Sequence, residues 1–103
     1  MINREDLVKN DNSVVSVISL EAYGNGEWHY HNEITEYVIC IEGSLILEVK
    51  SISSPFMLEP GVLHKIEPQE IHRVVNGSND LGKYLMIQNG KYDFVKVNVN
   101  TRK

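Results

Sequence analysis

Of the 103 residues, 24 carry a β-branched side chain (12 Val, 10 Ile, 2 Thr), whereas alanine occurs once, at Ala22. Branching at Cβ crowds a helical turn and suits a pleated surface, so this usage points to sheet and away from helix bundles. The apolar runs are short, and turn chemistry separates them at Gly24-Asn25-Gly26, Glu42-Gly43, Ser53-Ser54-Pro55, Pro60-Gly61, Pro68, Asn76-Gly77-Ser78-Asn79-Asp80 and Asn89-Gly90. Such spacing predicts an all-β sandwich or barrel, and a chain of this length has room for one core, so residues 1–103 are expected to form a single domain. The expected strands are Ser13 to Tyr23, Trp28 to His31, Glu36 to Ile41, Leu45 to Ser51, Ser54 to Leu58, Leu63 to Ile66, His72 to Val75, Lys83 to Gln88 and Phe94 to Val99. Asn3 to Lys9 reads either as a short helix capped by Asn3 or as a frayed terminus.

Alternation identifies the buried faces. Leu45, Leu47 and Val49 alternate with Ile46, Glu48 and Lys50, and Val95, Val97 and Val99 with Lys96, Asn98 and Asn100, so each segment has one apolar face and one mostly wet face. Tyr37-Val38-Ile39-Cys40-Ile41 is apolar on both faces, which implies cover outside the sheet as well as inside, and a second subunit would supply it.

A net charge of −4 gives nucleic acid and anionic membranes no general attraction to this surface, and both are set aside as partners. Apolar stretches such as Tyr37 to Ile41 are too short to cross a bilayer, and Met1 to Asp6 lacks an apolar signal core, so a cytoplasmic location is expected. The single cysteine, Cys40, agrees with a reducing compartment and reads as a small buried hydrophobe.

Two of the four histidines stand as His29-Tyr30-His31. In an extended chain, residues two apart share a face with Cα atoms about 6.6 Å apart, so both rings can converge on one ion. Glu36 is the next candidate ligand. Its odd separation from His31 requires a bend or bulge between Asn32 and Thr35, whereas Glu33 has the correct parity without one. The apolar run beginning at Tyr37 nevertheless favours Glu36 as the carboxylate carried inside. A closed sheet brings remote strands face to face, and His72, which opens His72-Arg73-Val74-Val75, fits the fourth place better than its alternative, His64.

These residues carry a family resemblance. His29-x-His31-x4-Glu36-x6-Gly43 resembles the first motif of the cupin superfamily, with the leading glycine displaced by one at Gly24. Gly61-x5-Glu67-x-Gln69-x2-His72-x3-Asn76 resembles the second, with the family's proline and second glycine replaced by Glu67 and Gln69, which concerns the shape of that loop. The resemblance runs from about Gly24 to Asn76. It implies an antiparallel jelly-roll β-barrel, commonly dimeric, whose interior holds a divalent metal on His29, His31, Glu36 and His72. Imidazole and carboxylate ligands suit iron, manganese, nickel, cobalt or zinc alike.

Four protein ligands on a six-coordinate ion leave two positions open, which suits Lewis-acid or oxidative chemistry on a small molecule. With one barrel, the substrate is expected to be a small polar molecule (sugar, organic acid or aromatic diol) entering among Val38, Cys40, Val74, Met86 and Gln88. Tyr23, Trp28, Tyr30, Tyr37 and Tyr84 are candidates for core, interface or pocket. Asn76 is expected to form a turn and His64 to be structural. The stretch from His72 to Asn76 with Lys83 to Tyr92 is similar to the C-terminal cupin portion of bifunctional mannose-6-phosphate isomerases, which implies a sugar-phosphate isomerase as an alternative. No residue stands out as its proton-transferring base. A non-catalytic module that senses a ligand is the reading from a different class.

Overall fold

Why the chain closes as it does follows from the pairing of ten strands in a computed structural model that describes residues 2–98: β1 (Ile2–Lys9), β2 (Ser13–Leu20), β3 (His29–Tyr30), β4 (Thr35–Glu42), β5 (Leu45–Val49), β6 (Phe56–Leu58), β7 (Leu63–Ile66), β8 (His72–Asn76), β9 (Gly82–Asn89) and β10 (Val95–Lys96). They form two five-stranded sheets, ordered β1-β2-β9-β4-β7 and β10-β3-β8-β5-β6, in which every named strand pair is antiparallel. Sequence-remote strands lie side by side in each sheet, giving the expected all-β jelly roll.

The core fills the space between the sheets. Ile18 and Leu20 of β2, Val38 and Cys40 of β4, Leu45, Leu47 and Val49 of β5, Val74 of β8 and Met86 of β9 are all buried. The two-residue period that alternation predicts is cleanest in β2, β4 and β5. Val95 and Val97 are half-buried while Lys96 and Asn98 are exposed, and Val99 and Asn100 lie outside the described residues. Among the described residues the ninth expected strand pairs only over Val95–Lys96, and Phe94, at its expected start, stacks on His29 instead.

The helix considered for Asn3 to Lys9 is corrected: these residues are β1, paired with β2 from Ile2↔Leu20 to Lys9↔Val14 with a bulge between Asp6 and Val8. The hairpin turn explains it. Asn10 Oδ1 accepts from the Asn12 and Ser13 backbone amides and from the Ser13 hydroxyl, a local closure that returns the chain alongside β2. Pairing also satisfies backbone groups that β2 would otherwise leave unpaired at the sheet edge. One consequence is that Arg4 and Asp6 stand opposite Ile18 and Ser16, on the inward face.

Gly43 and Gly26 are among the glycines that sit where a side chain has no room. Gly43 takes φ +90° in the β4–β5 turn, and an added Cβ would lie 2.7 Å from the Leu81 carbonyl oxygen. A Cβ on Gly26 would lie 2.9 Å from the Val74 carbonyl oxygen, which accepts the Gly26 amide. Asn76 performs the turn role expected of it: its Nδ2 donates to the carbonyls of Leu20, Glu21 and Asp80 while Oδ1 accepts from Ser78. The loop in which Glu67 and Gln69 replace the family residues keeps a left-handed turn, with Gln69 at φ 71° and its amide donating to the His31 carbonyl at 2.7 Å.

The outer face of the first sheet is apolar along two registers. Val15, Ile87 and Tyr37 form one row and Val17, Leu85 and Ile39 the next, all half-buried, with Leu63 exposed beyond Ile39. The two-sided hydrophobicity of Tyr37 to Ile41 therefore reflects a real outer apolar surface.

Candidate metal centre

Two cross-strand pairs, one in each sheet, build the centre. In the second sheet His29 of β3 lies directly opposite His72 of β8, and their rings are 4.4 Å apart. In the first sheet Glu36 of β4 lies opposite Gln88 of β9. Glu36 shares its inward face with Val38 and Cys40, so the alternation that buries the core also buries the carboxylate. The change of direction that Glu36 needs occurs between the end of β3 and the start of β4, at Asn32 and Glu33. His31 follows β3 and completes the group, and Glu33 stays exposed.

One nitrogen or oxygen from each of His29, His31, Glu36 and His72 lies within 4.8 Å of all the others. His31 Nε2 is 3.1 Å from Glu36 Oε1, and His72 Nε2 is 3.7 Å from Glu36 Oε2. Each imidazole is held from behind. His29 Nδ1 bonds the Glu27 carbonyl at 2.8 Å, His72 Nδ1 the Glu70 carbonyl at 2.8 Å, and His31 Nδ1 the Asp93 carbonyl. A carbonyl only accepts, so each Nδ1 carries the proton and each Nε2 presents a lone pair toward the centre. His72 Nε2 is buried with no hydrogen-bond partner, an orphaned acceptor that a cation would satisfy. Three imidazoles, one carboxylate and this convergence fit a divalent transition ion, without selecting one.

Electrostatics follow from burial and proximity. Burial pushes the His29 pKa down to about 4, aided by the neighbouring His72. Burial opposes charge on His31 as well, but its bonds to Glu36 and the Asp93 carbonyl outweigh this and raise its pKa. Burial likewise disfavours the charged form of Glu36, yet the His31 and His72 imidazoles beside its two oxygens hold the carboxyl well below its ordinary range. Gln88 Nε2 adds a further donor to Glu36 Oε1 at 3.2 Å.

A cavity of about 450 Å³ opens above these groups, walled by Ile18, Val74, Met86 and Phe94. Of the five expected mouth residues, Val74, Met86 and Gln88 line it, but Val38 and Cys40 do not. Those two lie deeper in the core, where tight packing leaves them 0% and 1% exposed. Burial raises the Cys40 thiol pKa, in keeping with an unreactive side chain. Of the five aromatic candidates, only Tyr84 reaches the cavity. Trp28 instead lies under the Arg73 guanidinium at 4.7 Å, Tyr37 belongs to the outer face, and Tyr23 is exposed. Burial and the Glu36 charge push the Tyr84 phenol well above its usual pKa, so it keeps its proton. His64 stays apart, near Phe56.

Several cavity residues escaped the sequence reading. Phe94 stacks on His29 with ring planes 15° apart, Tyr92 lies beside His31, and Arg4 reaches the wall from β1. Asp93 accepts from the Asn32 amide and side chain, which secures the segment carrying the carbonyl behind His31. The Asn10-Asp11-Asn12 turn signal would have brought Arg4 inward; nothing local marks residues 92–94, whose contacts span some sixty residues.

A family model described as Cupin domain matches residues 16–88. No curated protein matches the chain. Among solved structures, a conserved protein with a double-stranded beta-helix domain from Klebsiella pneumoniae aligns at TM-score 0.84 and 15% identity, over 95% of this chain and 85% of that one. The polyketide cyclase RemF from Streptomyces resistomycificus aligns at 0.81 and 19%, over 97% and 73%. A cupin-superfamily sugar phosphate isomerase from Silicibacter pomeroyi aligns at 0.70 and 23%, over 84% of this chain and 59% of that one. At these identities the likeness concerns the fold.

Proposed function

Because the chain belongs to the cupin domain family, we propose that it is a metal-dependent enzyme acting on a small polar organic molecule inside the barrel, with His29, His31, Glu36 and His72 as the metal ligands. The observation that carries this reading is the convergence of three backbone-tethered imidazoles and a buried carboxylate at the floor of an open cavity. Ligands held by a second shell need little reorganisation on binding, which favours a tight site. The bound ion would supply Lewis acidity toward a substrate oxygen, or a redox centre if it is iron or manganese. Tyr84 offers a phenolic O–H as a hydrogen-bond donor at the cavity wall, Gln88 orients Glu36, and the apolar wall limits water.

The sugar-phosphate isomerase reading draws support from the likeness to the Silicibacter structure so described, and it specifies a carbonyl as the group polarised. We also assign the outer face of the first sheet to a homodimer. A two-fold axis parallel to β9 would stack Leu85 and Ile87 against their copies. A buried free cysteine accords with a cytoplasmic location, and no helix among the described residues is long and apolar enough to cross a membrane.

The test is elemental analysis of protein purified without chelator, beside the double variant His31→Ala and His72→Ala. Near-stoichiometric iron, manganese, nickel, cobalt or zinc in the wild type and its loss in the variant are expected. Folded wild-type protein that stays metal-free after reconstitution overturns the ligand assignment. Metal-loaded protein that binds a sugar phosphate, organic acid or catechol tightly without consuming it would identify a ligand-sensing module instead of an enzyme.

A further inference from the structure

The cavity wall carries a cation at its β1 side. Arg4 lies on the inward face opposite Ile18 and lines the cavity. Its Nε donates to Asp6 Oδ1 at 2.8 Å, and the buried Ser16 hydroxyl donates to the same oxygen at 2.6 Å. Asp6 is thus anchored from the sheet and holds the guanidinium by one nitrogen. The four N–H bonds on the two Nη atoms pair with no second carboxylate among the described residues, and the Tyr92 phenol stands beside them. The cavity carboxylates do not neutralise this fork. Glu27 at the rim pairs with Lys96 at 3.3 Å, and Glu36 lies among the histidines.

A second unsatisfied group belongs to a residue that lines the same cavity. Gln88 is 3% exposed, and because a carboxylate only accepts, its Nε2 must point at Glu36 Oε1. That leaves Gln88 Oε1 buried without a donor. An orphaned acceptor at the floor and an underused cationic fork at the wall, separated by apolar side chains, describe a ligand with complementary ends.

We propose that the cavity binds a small hydroxylated organic anion, its carboxylate or phosphate held by Arg4 with Tyr92, and a hydroxyl donating to Gln88 Oε1. The planar guanidinium can meet either anion with two parallel N–H bonds, and Asp6 keeps it in that orientation. A volume of about 450 Å³ holds about fifteen water volumes, which suits a sugar acid or a sugar phosphate and excludes a polymer segment of several units. This deepens the reading of the cavity as the substrate chamber but does not depend on which ion the histidines bind.

The test is calorimetric titration with gluconate, glucose 6-phosphate, glucose and hexanoate, on metal-loaded and chelator-stripped protein, with metal content measured in every sample. Wild-type protein should bind at least one of the two hydroxylated anions about tenfold or more tightly than glucose and more tightly than hexanoate, with affinity falling as salt is added. Preference for gluconate or for the phosphate distinguishes the two anion classes. The double variant Arg4→Gln and Asp6→Asn keeps the net charge, and its affinity for the anion should fall about tenfold or more while metal content stays unchanged. The single variant Asn3→Ala, on the outward face of β1 opposite Ser19, should retain anion binding, which separates the guanidinium from any general effect of altering β1. Equal affinity in wild type and double variant, glucose bound as tightly as its acid, or no anion bound by the wild type overturns the proposal. Wild-type protein that stays metal-free even after reconstitution, yet binds anion through Arg4, would sink the ligand-set reading and leave this one standing.

Discussion

Metal-linked stability is the most direct consequence of the proposed ligand set, and His72 is the residue on which to test it. Its ring is 1% exposed, its Nδ1 is committed to the Glu70 carbonyl, and its Nε2 is the orphaned acceptor. An ion that binds only the folded chain stabilises it by RT ln(1 + [L]/Kd), or about 2.7 kcal/mol at a hundredfold excess over Kd. For a domain of this size, about 4–8 °C per kcal/mol converts this to an upward shift in Tm of roughly 10–20 °C. His72→Ala removes one of four donors and leaves Glu36 Oε2 without its nearest imidazole. If affinity falls about a hundredfold, the same free metal sits near Kd, and the increment shrinks to about 0.4 kcal/mol, or roughly 2–3 °C. His64→Ala is the control, because His64 stands outside the group of four donors and should leave the full shift intact. The assay is thermal unfolding followed by circular dichroism, in chelator and in buffered metal, for the three proteins. The reasoning is refuted if wild-type Tm is the same in both buffers, or if His72→Ala keeps the whole increment.

Chelator-treated protein should lose stability as pH falls from about 6.5 toward 4. His29 has a folded pKa of about 4 against 6.5 unfolded, so the unfolded chain binds the extra proton across that window, at a cost of roughly 2–3 kcal/mol. The raised pKa of His31 acts oppositely, stabilising most at low pH and losing its contribution as pH rises through that folded value. Denaturant melts at pH 7, 5.5 and 4.5 should therefore be flatter in His29→Gln than in the wild type; parallel curves would remove His29 as the source. Gln69→Gly should stabilise the fold by about 0.5–1 kcal/mol, since a left-handed φ of 71° strains a residue with a Cβ; an unchanged or lower denaturation midpoint would show that the Gln69 side chain offsets the strain. Leu85→Glu, at the middle of the outer apolar rows, should shift the protein from dimer to monomer in light scattering while the cavity is untouched; a monomeric wild type would end the homodimer assignment.

Legibility differed between elements for physical reasons. Leu63 to Ile66 was bounded to the residue because the Pro60-Gly61 and Pro68 turns flank it on both sides. β1 was misread because its apolar content is low and all its residues are exposed, so periodicity says little about it. The turn at Asn10 decides its course. Val38 and Cys40, expected at the cavity mouth, share an inward face with Glu36 but are packed into the core, and the depth of a residue along an inward face leaves no mark in the sequence period.

Sequence by itself determined the sheet-rich fold and the four converging side chains, because β-branching, a period of two and turn residues act locally, and the cupin resemblance spans the site. Only the tertiary structure decided how those side chains are held and what they face. The carbonyl behind His31 comes from Asp93, and the cation on the cavity wall comes from Arg4. Neither contact leaves a periodic trace in the chain, since each exists only once strands remote in sequence have closed around a common interior.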